Sequence, residues 1–258
     1  MSDAVYQDEA CRVKTKIIYE DRDILVIQKP PGLATQTAKV GQQDVVSELK
    51  NYLAMKDPGG QSKGEPYLGI IHRLDQPVEG LLVFAKNRKA AAALTAQLCG
   101  KKESDTGTLH KFYYGVFCGN ASNDSGELID DLYKDSSGKA MIWEQCKGEK
   151  PPQVRRAVLQ YRILQVQQVQ GIVLSLARLH ITTGRYHQIR AQMSHAGMSL
   201  LGDAKYADAA SRSISEKLNI RNVALCAFHL EFYHPAAKEK ISFQIKPQGE
   251  AFSCFSIK

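Results

Sequence analysis

Residues 16–28, KIIYEDRDILVIQ, hold two short apolar runs around Glu20-Asp21-Arg22-Asp23. That pattern predicts a β-hairpin, and Lys29-Pro30-Pro31-Gly32 then forbids further strand or helix. Val45, Val46, Leu49 and Leu53 recur at helical spacing, so a helix is predicted over 45–55, with 57–64 as a loop. Residues 67–71 and 81–85 read as apolar strands on either side of a polar octet, and Asn87 is placed to cap a helix that Gly100 closes. Residues 101–108 read as a surface loop. A strand over 112–118 would put Tyr113 and Tyr114 on opposite faces. The β-rich pieces 159–166 and 172–181 have no helix between them, which requires antiparallel pairing. Tyr186, Ile189, Met193 and Ala196 mark one face of a helix that Gly197 stops, and 223–233 and 240–245 read as strands. There is no internal repeat, low-complexity tract or clear linker. The pattern predicts an α+β fold: a mixed, largely antiparallel central sheet with flanking helices, forming one domain over 16–258 after an N-terminal extension, 1–15.

Composition adds a bias in charge. Of 258 residues, 43% are hydrophobic and 24% charged, which excludes disorder; 34 Lys and Arg against 27 Asp and Glu leave a net charge of +7. That excess serves either solubility or a polyanionic partner. No apolar run is long enough for a membrane helix, and residues 1–20 lack the order of a signal peptide, so the expected location is cytoplasmic, with no membrane partner. Cys11, Cys99, Cys118, Cys146, Cys226 and Cys254 form no C-x-x-C pair and read as reduced thiols of an intracellular core.

Two polar clusters interrupt the apolar pattern. His72-Arg73-Leu74-Asp75-Gln76-Pro77-Val78-Glu79 lies between two predicted strands, where a functional group would be held on rigid supports. If strand geometry persists through it, Arg73 and Asp75 share a face and His72 points away; the plain alternative is an Arg73–Asp75 ion pair that solvates a turn. Thr182-Thr183-Gly184-Arg185-Tyr186-His187-Gln188-Ile189-Arg190 follows a strand and opens a helix. Its N-terminus is a natural phosphate seat with Arg185 beside it, and His187 and Arg190 fall on a common side; the plain alternative is a capped helix with a solvated face. His72, His187, His195, Asp75 and Asp203 have no metal-ligand spacing, and there is no P-loop, dinucleotide fingerprint or G-x-S-x-G elbow. No metal is expected.

Four segments carry a family resemblance: Ile18-Tyr-Glu-Asp with Leu25-Val-Ile-Gln-Lys-Pro-Pro-Gly32; Ile71-His-Arg-Leu-Asp75 with Gly80-Leu-Leu-Val-Phe-Ala-Lys86; Lys111-Phe-Tyr113; and Gly184-Arg-Tyr-His-Gln-Ile-Arg190 with Leu201-Gly-Asp-Ala-Lys-Tyr206. In this order the chain resembles the RluA family of RNA pseudouridine synthases over about residues 16–245. The resemblance implies the pseudouridine synthase fold with a catalytic cleft, and conversion of uridine to pseudouridine within RNA, rRNA or tRNA, without cofactor; a monomer is the default expectation, since no feature of the sequence points to an oligomer. Asp75 would be the catalytic aspartate, either attacking the ribose C1′ or otherwise assisting departure of uracil. Arg190 would pair with it, since an adjacent guanidinium stabilises a carboxylate and fixes its direction. Tyr113 would stack on the base and help remove the C5 proton. Arg73 would fill the gap left by the extruded nucleotide, with His72, Arg185, His187 and Leu201 (or Leu200) around the substrate. Lys29 and Lys86 would be structural or phosphate contacts, and Lys101, Lys102, Arg155 and Arg156 outer contacts.

Family members commonly carry Thr-Ser where this chain has Val78-Glu79. Glu79 must therefore point away from phosphate or pair with a base such as Arg73. The same departure motivates the alternative of a non-catalytic RNA-binding or RNA-folding module on this scaffold. On the catalytic reading, Arg190→Met is expected to cost activity far more than folding.

Overall fold

The computed structural model describes residues 14–39, 41–56, 64–100, 107–144 and 153–257. Its described strands are β1 Lys16–Glu20, β2 Ile24–Lys29, β3 Gly69–Ile70, β4 Glu79–Ala85, β5 His110–Cys118, β6 Ser125–Lys134, β7 Ala140–Ile142, β8 Arg155–Val169, β9 Ile172–Ile181, β10 Leu225–Tyr233 and β11 Lys240–Gln244. The helices are α1 Val45–Lys56, α2 Arg88–Leu98, α3 Gln188–His195 and α4 Ala209–Lys217, with a short 3-10 turn Glu250–Phe252. One sheet joins all the described strands in the order β1-β2-β4-β10-β5-β9-β8-β6-β7, with β11 beside β10 and β3 beside β4. β4 and β10 pair in parallel, and the other strand pairs are antiparallel. This is the α+β architecture with a mixed, largely antiparallel sheet that the apolar pattern predicts.

The apolar runs of β2 and β4 are buried along their whole length because both faces of the sheet centre are covered. Leu25, Ile27, Leu82 and Phe84 pack with α1, Tyr113, Leu179 and, from α3, Ile189 and Met193 on one face. Ile24, Val26, Leu81 and Val83 pack with Ala90 and Leu94 of α2 on the other. Further along that second face, Val116, Leu176 and Phe228 meet Ile214 of α4 and Phe252. Tyr113 and Tyr114 separate accordingly, Tyr113 into the α1/α3 layer and Tyr114 onto Phe228 across the sheet, with ring centroids 3.6 Å apart. Gly80 sits in the left-handed region at φ +134, and a Cβ there would come within 2.5 Å of the Ala227 backbone, so β10 lies beside β4 only because position 80 has no side chain.

Several boundaries differ from the pattern. The strand expected over 67–71 is reduced to Gly69–Ile70. The helix expected from Tyr186 begins at Gln188, because His187 has a left-handed φ of 50; Tyr186 lies outside the helix and is exposed. β6, β7 and α4 have no counterpart in the predicted elements. The first is acidic and largely exposed, and α4 carries few apolar residues, so neither shows an apolar run. β8 runs on to a two-residue turn, Gln170-Gly171, whose positive φ values (50 and 79) suit a hairpin. Asn87 caps α2 by accepting from Ala90 N–H, as expected. Of the described cysteines, Cys226 is buried, Cys118 and Cys254 half-buried, but Cys99 is exposed at the end of α2, which corrects its reading as a core thiol. Lys101, Lys102, Cys11, Cys146 and most of the 1–15 extension lie outside the described residues.

Candidate active site

Asp75 stands in the irregular segment between β3 and β4, on the α1/α3 side of the sheet. Its loop is clamped by groups distant in sequence. Thr35 Oγ donates to Leu74 C=O at 2.9 Å and accepts from Leu74 N–H at 3.2 Å, and Gly32 N–H donates to Gln76 C=O at 2.8 Å. Lys29, fully buried, donates from one ammonium to the carbonyls of Pro30, Leu33 and Gln76. Burial pulls its pKa down to about 7, while Asp75 and Glu79 act in the opposite sense. The Lys-Pro-Pro-Gly stop is thus the buttress of the Asp75 loop.

Arg190 reaches this loop from α3. Its NH1 group donates to Asp75 Oδ2 at 3.1 Å, across 115 residues of sequence. The rest of the guanidinium is committed elsewhere: Nε and NH2 each donate at 2.7 Å to the two oxygens of Asp203, a bidentate fork. Asp203 is 1% exposed and also accepts from the N–H groups of Lys205 and Tyr206. Burial opposes the charge on Arg190, but Asp203 and Asp75 outweigh it and raise its pKa. Asp203 therefore aims the arginine that touches Asp75.

A second contact falls on the same carboxylate oxygen. His187 Nε2 lies 3.6 Å from Asp75 Oδ2, long for a hydrogen bond but within reach of a small shift. Tyr206 OH accepts Ala140 N–H at 2.8 Å and lies 2.8 Å from His187 Nδ1; with the phenol proton directed to Nδ1, the imidazole proton would reside on Nε2, facing Asp75. Burial pulls His187 down to about 4, so the ring is neutral near pH 7. Tyr186 stacks on it at 3.8 Å. With Arg190 and His187 both on Oδ2, Oδ1 has no polar partner among the described residues, and the side chain is 24% exposed. Tyr113 sits on the same face, with a pKa raised by burial and then by Asp75, so it stays a neutral phenol.

The other expected site residues divide. Arg73 is exposed and makes no ion pair with Asp75, so the turn-decoration alternative does not describe this structure. Arg185 is exposed, its Nε tied to Arg156 C=O at 2.9 Å, and its N–H is taken by Gln188 Oε1 at 3.0 Å, so the helix end is partly self-capped. His72 needs correction as a substrate contact: the strand stops at Ile70, and the ring turns into the core, where Nε2 accepts Val83 N–H at 3.4 Å. Leu201 also needs correction. It is fully buried in the layer of Val116 and Phe252, whereas Leu200 packs in the layer of Tyr113. His195 faces Asp130 at 4.0 Å, and among the described residues the five-residue set considered for a metal does not converge.

Glu79 turns to the opposite side of the sheet. Its carboxylate accepts the N–H groups of Gln248 and Gly249 at 2.9–3.1 Å and holds the C-terminal segment, so its charge stays out of the cleft. Burial raises its pKa above 4.5, with the two N–H groups working against the rise. A raised carboxyl stabilises the fold below 4.5 and loses that contribution as pH rises through its folded value. Urea melts of Glu79→Gln from about pH 4 to 7 are expected to show a flatter profile than wild type; an equally steep fall would mean that Glu79 is not the group responsible.

Residues 23–195 match the family model described as RNA pseudouridylate synthase. The dual-specificity RNA pseudouridine synthase RluA of Vibrio vulnificus is 31% identical over 86% of this chain and 78% of its own length. The ribosomal large subunit pseudouridine synthase D of Pseudomonas aeruginosa is 33% identical over 93% and 70%. Among solved structures, human RNA pseudouridylate synthase domain containing 1 superposes with a TM-score of 0.66 at 22% identity, covering 90% of this chain and 83% of the other.

Proposed function

Since this chain belongs to the RluA family of RNA pseudouridine synthases and is such an isomerase, we propose that residues 16–258 form its catalytic domain and that Asp75 carries the reaction. The observation that supports this reading best is the asymmetry of the carboxylate, with Arg190 and His187 on Oδ2 and Oδ1 without a polar partner among the described residues. Oδ1 is the oxygen that meets the ribose of an extruded uridine, because the reacting atoms are inaccessible while the nucleotide remains stacked. Arg190 holds the carboxylate still, and its own position is set by Asp203. Tyr113 lies against the uracil and takes part in the loss of the C5 proton as a neutral phenol. Leu200 supports that layer from behind. Arg73 enters the space vacated by the nucleotide. Turning and rejoining the base requires no redox step and no hydrolysis, so no cofactor or metal is assigned.

The substrate class is structured RNA, ribosomal or transfer; curated relatives are named for the large ribosomal subunit and for dual specificity. The protein acts as a monomer in the cytoplasm; among the described residues no helix is long and apolar enough to cross a membrane. The buried position of Glu79 removes the motive for the non-catalytic module, because no extra negative charge enters the RNA path. Mapping of pseudouridines in rRNA and tRNA from cells with and without the gene tests the reading. At least one uridine is expected to lose its modification and regain it with the wild-type gene; an unchanged map would refute it.

A further inference from the structure

Among the described residues, Lys111 is a buried cation that the proposed reaction leaves unused. β5 alternates, so Lys111 and Tyr113 share the α1/α3 face, while His110, Phe112 and Tyr114 face the other way. Lys111 is 8% exposed, and among the described residues its ammonium makes no hydrogen bond and no ion pair. Its Nζ stands 3.6 Å from where a Cβ on Gly184 would be, so the ammonium points at the stretch that opens α3. Buried cations normally have acceptors, and one without them calls for a ligand.

The surroundings offer donors rather than acceptors. His72, within range of the Lys111 charge, accepts at Nε2, so its Nδ1 carries the proton; that N–H is buried with no partner. Gly184 contributes no side chain to fill the space. Burial draws Lys111 down to about 8, and an arriving anion would reverse that effect.

Resting on the pseudouridine synthase reading, we infer that Lys111 and the backbone at Gly184 form a seat for a phosphodiester of the RNA substrate, beside the stretch that leads into α3. This gives the helix entry a phosphate contact, with Lys111 rather than Arg185 as its charge. An RNA phosphate is the occupant because it is anionic, accepts from several donors at once, and accompanies the uridine into the cleft.

The test uses full-length protein, with Lys111→Met and Lys111→Gln, and a fluorescent uridine-bearing RNA stem-loop as probe. Removing an unpaired buried charge should leave Tm of the free protein unchanged or raised. Binding should weaken by about tenfold at low salt. The slope of log affinity against log salt should shrink by roughly 0.7 to 0.9, one phosphate contact. A folded variant with unchanged affinity and slope overturns the inference, as does a fall in Tm with RNA binding intact, which marks a structural lysine. Failure of the underlying reading looks different: wild type itself would then form no pseudouridine in any cellular RNA.

Discussion

Asp75→Asn is expected to lower the single-turnover rate of pseudouridine formation by about 10⁴-fold or more, with RNA affinity and Tm little changed. The prediction is sharp because the substitution is nearly isosteric and the surroundings do not depend on the lost charge. Arg190 keeps both bonds to Asp203, and the loop around residue 75 is held by Thr35, Gly32 and Lys29 through its backbone. Loss of the Asp75 charge leaves Arg190 still paired with Asp203, so no buried cation is stranded. An asparagine side chain, however, offers no anionic oxygen to the ribose. The measurement is release of the C5 hydrogen from RNA labelled at uridine C5, with binding followed separately. A rate within about tenfold of wild type would remove Asp75 from the chemistry.

Some of this is legible in the sequence because certain patterns encode geometry. β2, β4, β5, β9 and β10 carry apolar runs that only a sheet covered on both faces can bury, and the pattern places each within a few residues. Parity beyond a strand end is not legible. His72 falls on the extension of a strand that stops at Ile70, and the choice between Leu200 and Leu201 turns on a single-residue register, which selects opposite faces. Asp203 escapes notice as a partner because its role depends on a fork from Arg190, 13 residues away across a turn. One signal does exist: an acid in the otherwise apolar and small stretch Leu200-Leu201-Gly202-Asp203-Ala204 needs a buried cation. β6 and β7 bear on the site through Ala140 and its bond to Tyr206, yet the acidic, weakly patterned β6 and the three-residue β7 give no warning of it.

Asp203 also changes what Arg190→Met should do. The sequence alone predicts lost activity with little effect on folding, since Arg190 then has only Asp75 to serve. In the structure the substitution strands a carboxylate that is 1% exposed, leaving it only the N–H groups of Lys205 and Tyr206. Breaking a buried pair from one side costs about 3–5 kcal/mol, a large part of the roughly 5–15 kcal/mol that holds a domain together. Tm should fall by roughly 10 °C along with activity, so the single variant cannot separate positioning from folding. The double variant Arg190→Met with Asp203→Asn can. The introduced amide keeps an acceptor for the two backbone N–H groups and removes the stranded charge, so about half the lost stability should return. Activity should not return, because Oδ2 of Asp75 still lacks its guanidinium and the carboxylate is free to rotate away from the ribose. If the rate recovers in step with Tm, Arg190 serves the fold alone, and His187 becomes the group that must orient Asp75.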